Sequence, residues 1–261
     1  MNVAQQEICD ICATARRGLE RGMALPLSPA VSAAAAHAAA AEFAAYGHVR
    51  VEPALPKAGA EALHRWLDGE APFSRVLNQG DKVWDLDPAQ RAALDPQAQA
   101  ALLDAVHGQA RDGFQFLFDS LRVSDDPAAR AARDWPVDQL VSAFNTPPWL
   151  DLFRALTGEP AIAMVDGQAT RYLPGHFLTG HDDNVAGKNR VAAYVLNLTP
   201  RWRVEWGGLL MFHDSAGDVH RALAPRHNAL HLFRVPQAHS VSLVTPFAGA
   251  PRLAITGWLR R

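Results

Sequence analysis

The sequence predicts a single α+β domain in which N-terminal helices cover one face of a C-terminal antiparallel β-sandwich or barrel. The pattern of the chain changes near residue 160. Before this point, alanine-rich segments with helical periodicity dominate; after it, short β-rich runs are separated by Gly, Pro, Asp and Asn. Strands at such regular spacing are typical of an antiparallel sandwich or barrel, and no internal repeat divides the chain.

The composition is that of an ordinary globular protein. The 261 residues, 49% hydrophobic and 20% charged, are enough to bury a substantial core. The net charge of -2 gives no basic footprint for nucleic acid or an anionic membrane, and no apolar run has the length of a membrane span or a secretory signal. We therefore expect a cytoplasmic protein that binds neither nucleic acid nor a membrane; its oligomeric state stays open.

Residues 31–159 are expected to be mostly helical support, because five segments there carry helical periodicity or helix-boundary residues. Their bounds are 32–45, 58–67, 96–121, 137–144 and 149–156, with a short strand at 48–52 and a polar loop at 125–133. The longest segment ends in an apolar stripe with helical spacing, which we expect to pack against the sheet and which comprises Phe114, Leu117, Phe118 and Leu121.

Residues 160–261 are expected to form the β core, and residues 1–30 a flexible N-terminus. The β-rich runs lie at 162–172, 191–198, 209–213, 229–233, 241–245 and 253–258. The N-terminus contains two cysteines, Cys9 and Cys12, whose C-x-x-C spacing suits half a zinc site or a redox couple. No second pair completes such a site, so we interpret them as two thiols near a frayed terminus.

The stretch G-H-D-D-N at 180–184 places a histidine and a carboxylate at positions i and i+2. In a strand these side chains project from the same face, so His181 and Asp183 are predicted to reach one metal while Asp182 points away. His239, at the start of a later strand, is the predicted third ligand. Two histidines and a carboxylate on one side of a metal leave three adjacent positions open, as in the facial triad of non-haem iron(II) oxygenases.

The H-x-D pattern alone is weak evidence, because eleven histidines make chance matches common. Several neighbouring histidines are more simply explained as hydrogen-bonded or surface imidazoles, namely His176, His213, His220, His227 and His231. Arg252 strengthens the case, because it opens the last predicted strand and a guanidinium binds a carboxylate bidentately. A buried arginine beside the metal suits a dicarboxylate co-substrate, whereas alone it would be an ordinary surface residue.

From Thr170 onward the chain resembles the 2-oxoglutarate- and Fe(II)-dependent oxygenases, in particular their prolyl 4-hydroxylase-like branch. The resemblance rests on the order and spacing of short motifs: R-Y-L-P-G at 171–175, the His181/Asp183 pair, N-R-V at 189–191, L-N-L at 196–198, W-G-G-L at 206–209, His239 and R-L-A-I-T-G-W at 252–258. It implies a double-stranded β-helix, a jelly-roll of two facing sheets with the metal at its open mouth.

The resemblance also implies roles for residues around the metal. Arg252 would pair with the distal carboxylate of 2-oxoglutarate, and the same pocket would be lined by Tyr172 and Thr256. Arg190 and Trp258 occupy positions that face the substrate in prolyl hydroxylases, although Trp258 suits a core indole equally well. Asn197 stands where a tyrosine often assists co-substrate binding, so its contact with 2-oxoglutarate would run through water or need a shifted pose.

The predicted function is a hydroxylase that uses O2 and 2-oxoglutarate on an unactivated C–H bond, with a prolyl residue of a protein or peptide as substrate. The implied cofactors are Fe(II), 2-oxoglutarate and O2, with ascorbate as an additional candidate. Retention of Asp183 favours hydroxylation, since family members that halogenate lack this carboxylate. Three alternatives stay open: hydroxylation of a free amino acid or small metabolite, a non-catalytic sensor of 2-oxoglutarate or oxygen, and a cupin-like zinc hydrolase.

Overall fold

A computed structural model describes residues 24–261, and Cys9 and Cys12 therefore lie outside the described residues. Within residues 24–261, helices α1 to α7 span Ala33–Tyr46, Lys57–Gly69, Pro88–Ala92, Pro96–Gln109, Pro127–Arg133, Pro136–Phe144 and Pro147–Thr157. Strands β1 to β13 span His48–Val51, Ser74–Gln79, Lys82–Leu86, Phe116–Arg122, Met164–Val165, Gln168–Tyr172, Phe177–His181, Arg190–Asn197, Leu210–His213, Val219–Leu223, Ala229–Arg234, His239–Val241 and Arg252–Arg260. None of the described helices is long and apolar enough to cross a membrane.

All thirteen strands belong to one antiparallel sheet whose main path runs β1-β11-β8-β13-β6-β4-β7-β12-β9-β10. Strand β4 joins the two halves of this path, because its residues 119–122 pair with β6 while Phe116 and Leu117 pair with β7. The hairpin β2–β3 extends the sheet from β4, and β5 pairs with the end of β13. The sheet curls into the predicted jelly-roll, which confirms the α+β fold class.

The two faces of β13 show how the sheet separates the core from the site. Because side chains alternate along a strand, successive residues point to opposite faces. Leu253, Ile255 and Leu259 are fully buried in a core that the helices complete through Phe43, Leu63, Leu140 and Phe153. On the opposite face, an internal cavity is lined by Arg252, Thr256 and Trp258. The N-terminal helices therefore cover one face of the sheet, as predicted.

The boundaries of α1 illustrate how local sequence determines these elements. The Ser32 hydroxyl accepts a hydrogen bond from the Ala35 N–H at 3.2 Å and so begins the helix. Gly47 ends it in the left-handed conformation, with φ of 72°, which glycine adopts without steric cost. The structure confirms the predicted helix here, the strand after it, and the helices predicted at 58–67, 137–144 and 149–156.

The helix predicted over 96–121 is wrong in its second part. Helix α4 ends at Gln109, and residues 116–122 form strand β4. In the strand, neighbouring residues of this apolar stripe point to opposite faces of the sheet. Leu117 packs beneath α4, whereas Phe118 faces the cavity and stacks on Tyr172 at 5.2 Å. Pairing with three neighbouring strands, which the local sequence does not reveal, decides between the two periods.

The polar loop predicted at 125–133 is also wrong, because residues 127–133 form helix α5. Asp126 caps this helix through the Ala128 N–H, and Pro127 occupies its first turn. Arg130 is buried and donates to the Ser142 hydroxyl and to two backbone carbonyls. These partners, which lie outside the helix, stabilise a helix whose composition resembles that of a surface loop.

A cluster of four charged residues, which we call the Asp119 cluster, links neighbouring elements on the face of β4 opposite the cavity. The Asp119 side chain has no exposed surface and accepts hydrogen bonds from Arg75 on β2, Arg91 on α3 and Arg171 on β6. The nearest atoms are 2.8 to 3.2 Å apart. One carboxylate therefore links strands β2, β4 and β6 to helix α3.

Replacing Asp119 by alanine is expected to lower the free energy of unfolding by roughly 3–5 kcal/mol, because three guanidinium groups would converge without an anion. Urea denaturation measures this change. Asp151→Ala is the matched control, since Asp151 pairs with Arg154 on the surface and should cost less than about 1 kcal/mol. Equal effects of the two substitutions would contradict a central role for Asp119.

Candidate metal and co-substrate site

His181, Asp183 and His239 come together at one end of the curled sheet. Strands β7 and β12 pair so that His181, the last residue of β7, lies directly opposite His239, the first residue of β12. The Asp183 carboxylate reaches both rings, with Oδ1 at 3.6 Å from His181 Nε2 and Oδ2 at 3.5 Å from His239 Nε2. Ligands each about 2.1 Å from a shared metal are separated by distances of this order.

The backbone fixes which ring nitrogens face the centre of this group. Nδ1 of His181 lies 3.0 Å from the Thr179 carbonyl, and Nδ1 of His239 lies 2.7 Å from the Gln237 carbonyl. A carbonyl only accepts hydrogen bonds, so Nδ1 carries the proton and Nε2 presents its lone pair. Burial and the neighbouring His181 lower the pKa of His239 to about 4, which keeps this imidazole neutral, as metal binding requires.

Asp183 reaches the site differently from the sequence prediction. Strand β7 ends at His181, and Asp183 lies in the following turn with a positive φ of 62°. Strand alternation therefore does not bring the pair together. The Asp182 carboxylate points away and accepts a hydrogen bond from the Asn184 N–H at 2.9 Å. Aspartate tolerates the left-handed conformation better than most residues, which suits the turn.

Arg252 is a buried cation with no acidic partner among residues 24–261. It is 2% exposed, and its Nε has no hydrogen-bond partner within that part of the chain. Burial lowers the pKa of Arg252, while the adjacent Tyr172, whose ring centre is 5.1 Å from the guanidinium, acts in the opposite direction. A buried guanidinium without an anion is costly, so this position is suited to an anionic ligand.

His181, Asp183 and His239, which we call the metal-ligand group, line the same cavity as Arg252. Its volume is about 80 Å³, and the residues predicted for the co-substrate pocket that line it are Arg252, Tyr172 and Thr256. Two further wall residues, Phe118 and Val195, were not among the predicted site residues. Alternation along β8 would have identified Val195, whereas Phe118 was hidden by the incorrect helix assignment.

Asn197 does not line this cavity. It is fully buried, its amide nitrogen lies 3.5 Å from the Ala229 carbonyl, and its Oδ1 has no partner within residues 24–261. The residue of β8 directly opposite Thr256 is Val195. The nearby Tyr194 hydroxyl donates to the Asp166 carbonyl at 2.9 Å, which directs it away from Arg252.

Arg190 and Trp258 lie together beside the metal-ligand group. The guanidinium of Arg190 stacks over the Trp258 ring at 3.4 Å, and its Nη1 donates to the Asp183 carbonyl at 3.1 Å. Trp258 lines the cavity and is partly exposed, so it is not a fully enclosed core indole.

The remaining histidines stand apart from the metal-ligand group. Within residues 24–261, His181, Asp183 and His239 are the one set of three ligand-type side chains whose atoms all lie within 4.8 Å of one another. His176 is buried elsewhere, and burial lowers its pKa to about 4. Others are hydrogen-bonded, such as His213 to the Ser240 hydroxyl at 2.8 Å and His227 to the Leu198 carbonyl at 3.0 Å.

Comparison with known proteins places this arrangement in context. Residues 167–260 match a sequence model of the 2OG-Fe(II) oxygenase superfamily. A prolyl-4-hydroxylase from Pseudomonas putida shares 19% identity and a TM-score of 0.54 over 87% of this chain and 98% of that chain. A prolyl hydroxylase from Trichoplax adhaerens, in complex with a hypoxia inducible factor peptide fragment, shares 17% identity and a TM-score of 0.55 over 86% and 88%.

The non-haem α-ketoglutarate-dependent epimerase SnoN from nogalamycin biosynthesis has the same fold, with 13% identity and a TM-score of 0.52 over 88% of this chain and 84% of that chain. No curated protein matched the sequence. At these identities the solved structures establish a shared fold, and the specific match lies in the sequence of the β core.

Residues 167–260 are similar to the 2OG-Fe(II) oxygenase superfamily, and the match covers the β core that carries the three ligand-type side chains. The predicted resemblance is thereby confirmed, and the fold is the one found in prolyl 4-hydroxylases. The predicted enzyme class, an Fe(II)- and 2-oxoglutarate-dependent dioxygenase, is confirmed as well. The superfamily implies Fe(II), 2-oxoglutarate and O2, and two imidazole nitrogens with a carboxylate oxygen are donors that suit Fe(II).

Asp183→Ala is expected to weaken binding of Mn(II), used as an air-stable substitute for Fe(II), by at least about 100-fold, because a ligand is lost rather than one of its supports. The measurement is a Mn(II) titration followed by electron paramagnetic resonance. Asp182→Ala is the matched control, since this adjacent carboxylate points away. His176→Gln is a second control, which tests whether His176 is a metal ligand in place of a predicted one. Loss of Mn(II) binding in either control, with retention in Asp183→Ala, would contradict the proposed ligand set.

Proposed function

We propose that the protein is a hydroxylase that acts on a prolyl residue of a protein or peptide, with Fe(II) held by His181, Asp183 and His239. The observation that carries this proposal is the unpaired, buried Arg252 in the same cavity as three metal-ligand side chains. A zinc hydrolase has no need of such a cation, whereas a dicarboxylate co-substrate does.

The three side chains would hold the metal from one side and leave adjacent positions for the co-substrate and O2. When bound, Fe(II) with 2-oxoglutarate and O2 supplies the oxidising chemistry that yields succinate, CO2 and a hydroxylated substrate. The protein contributes the geometry: Arg252 binds the far carboxylate, and Tyr172 and Thr256 form the walls beside it. Because Arg252 is buried, its pairing with an opposite charge is stronger than it would be in water.

Two observations, one from the site and one from similar structures, support a prolyl substrate. Phe114 is 51% exposed and its ring centre is 5.8 Å from that of His181, so an apolar surface stands next to the metal position. A pyrrolidine ring packs well on such an aromatic surface. The two prolyl hydroxylases with this fold provide the second support.

A small metabolite or free amino acid is the alternative substrate class. The observation that favours it is the shared fold of SnoN, which acts in the biosynthesis of nogalamycin. A non-catalytic sensor of 2-oxoglutarate or oxygen is a third candidate, in which the same site would bind its ligands without turnover.

Succinate release separates these candidates. The full chain is incubated with Fe(II), 2-oxoglutarate, O2 and ascorbate, with and without a library of proline-containing peptides, and products are analysed by mass spectrometry. Succinate formed together with a peptide that has gained one oxygen on proline supports the proposal. Succinate without a modified peptide at any proline would reject the prolyl substrate, and binding of 2-oxoglutarate without succinate would indicate a sensor.

Arg252→Met should raise the 2-oxoglutarate concentration needed for half-maximal succinate release by at least about 30-fold, since removing one partner of a buried charge pair costs roughly 2–5 kcal/mol. Methionine preserves much of the apolar volume. Arg201→Met, at an exposed arginine after β8, is the control and should behave as the unmodified protein. An unchanged requirement in Arg252→Met would leave the binding of 2-oxoglutarate unexplained.

A further inference from the structure

Asp183 is the only metal-ligand candidate of the three that no strand positions. It lies in the turn after β7, and the residues that follow it, 184–189, are all exposed. Its positive φ of 62° is a conformation that most side chains disfavour. A side chain in such a turn keeps a fixed direction only if another part of the protein holds the backbone.

Arg190, the first residue of β8, supplies that contact. Its Nη1 donates a hydrogen bond to the Asp183 backbone carbonyl at 3.1 Å. The same nitrogen is 3.9 Å from Asp183 Oδ1, which is too far for a hydrogen bond. Arg190 therefore holds the main chain of Asp183 and leaves the two carboxylate oxygens directed at His181 and His239.

The guanidinium of Arg190 is itself fixed by the strand next to it. It stacks over the Trp258 ring at 3.4 Å, and only 14% of the Arg190 side chain is exposed. The Trp258 backbone N–H donates to the Asp166 carboxylate at 2.8 Å, which ties this part of β13 to the segment before β6. A planar guanidinium with one face on an aromatic ring has little rotational freedom.

We infer that Arg190 is a positioning residue for the metal: it holds the turn so that the Asp183 carboxylate faces the two histidines before any metal or substrate binds. This inference rests on the proposed ligand set. It differs from the substrate-facing role predicted from the sequence, because it requires an effect on metal binding in the absence of substrate. Supports of this kind typically change metal affinity by about 10–100-fold.

The test is a titration of the full chain with Mn(II) alone, in the absence of 2-oxoglutarate and substrate, followed by electron paramagnetic resonance. Arg190→Met retains an apolar stem over Trp258 but removes the donor, and should weaken Mn(II) binding by about 10–100-fold. Arg190→Lys retains a donor and should recover part of that loss. Thermal unfolding of each variant separates a local effect from loss of the fold.

Arg234→Met is the matched control, because Arg234 also lies over an aromatic ring, Phe43 at 5.7 Å, but is not among the residues that line the cavity. Its Mn(II) affinity should equal that of the unmodified protein. If Arg190→Met binds Mn(II) within twofold of the unmodified protein, the inference is overturned while the ligand set stands. If the unmodified protein fails to bind Mn(II), the proposed function itself fails. If Arg190→Met does not fold, the Arg190→Lys affinity decides: a partial loss of Mn(II) affinity in this folded variant supports the donor role, and an affinity within twofold of the unmodified protein overturns it.

Discussion

The register between β7 and β12 is the constraint on which the whole site depends. It sets His181 opposite His239 across an antiparallel pair, close enough for one ion to contact both rings. A slip of one residue would turn one imidazole to the other face of the sheet. The short β12 is held between β7 and β9, so neighbours on each side enforce the register.

The interior of the jelly-roll combines the metal-ligand group with an unpaired buried guanidinium, that of Arg252. Burial keeps His239 unprotonated, and the Arg252 guanidinium lines the same cavity without an acidic partner among residues 24–261. We propose that a small dianion binds here, with one terminus at the metal position and the other at the guanidinium. In this proposal the charge of Arg252 favours a dicarboxylate co-substrate over a neutral one.

The sequence was sufficient for the fold class and for the proximity of His181, Asp183 and His239, which the H-x-D pattern and a distant histidine indicate. It was insufficient where long-range pairing decides the local structure. Residues 116–122 fit a helix as well as a strand, and only their three neighbouring strands resolve the choice. The turn at Asp183, and the position of Asn197 outside the cavity, likewise depend on backbone geometry that the spacing of residues in the sequence does not reveal.

Strand β4 carries Asp119 on its outer face and Phe118 on its inner face. Residues 74–112 contain β2, β3, α3 and α4 and supply Arg75 and Arg91. This segment is therefore needed to complete the Asp119 cluster. A shortened protein without it would leave the carboxylate with Arg171 alone and expose the free edge of β4 to intermolecular strand pairing. The smallest autonomous version of this catalytic core consequently extends well beyond the segment that sequence similarity outlines.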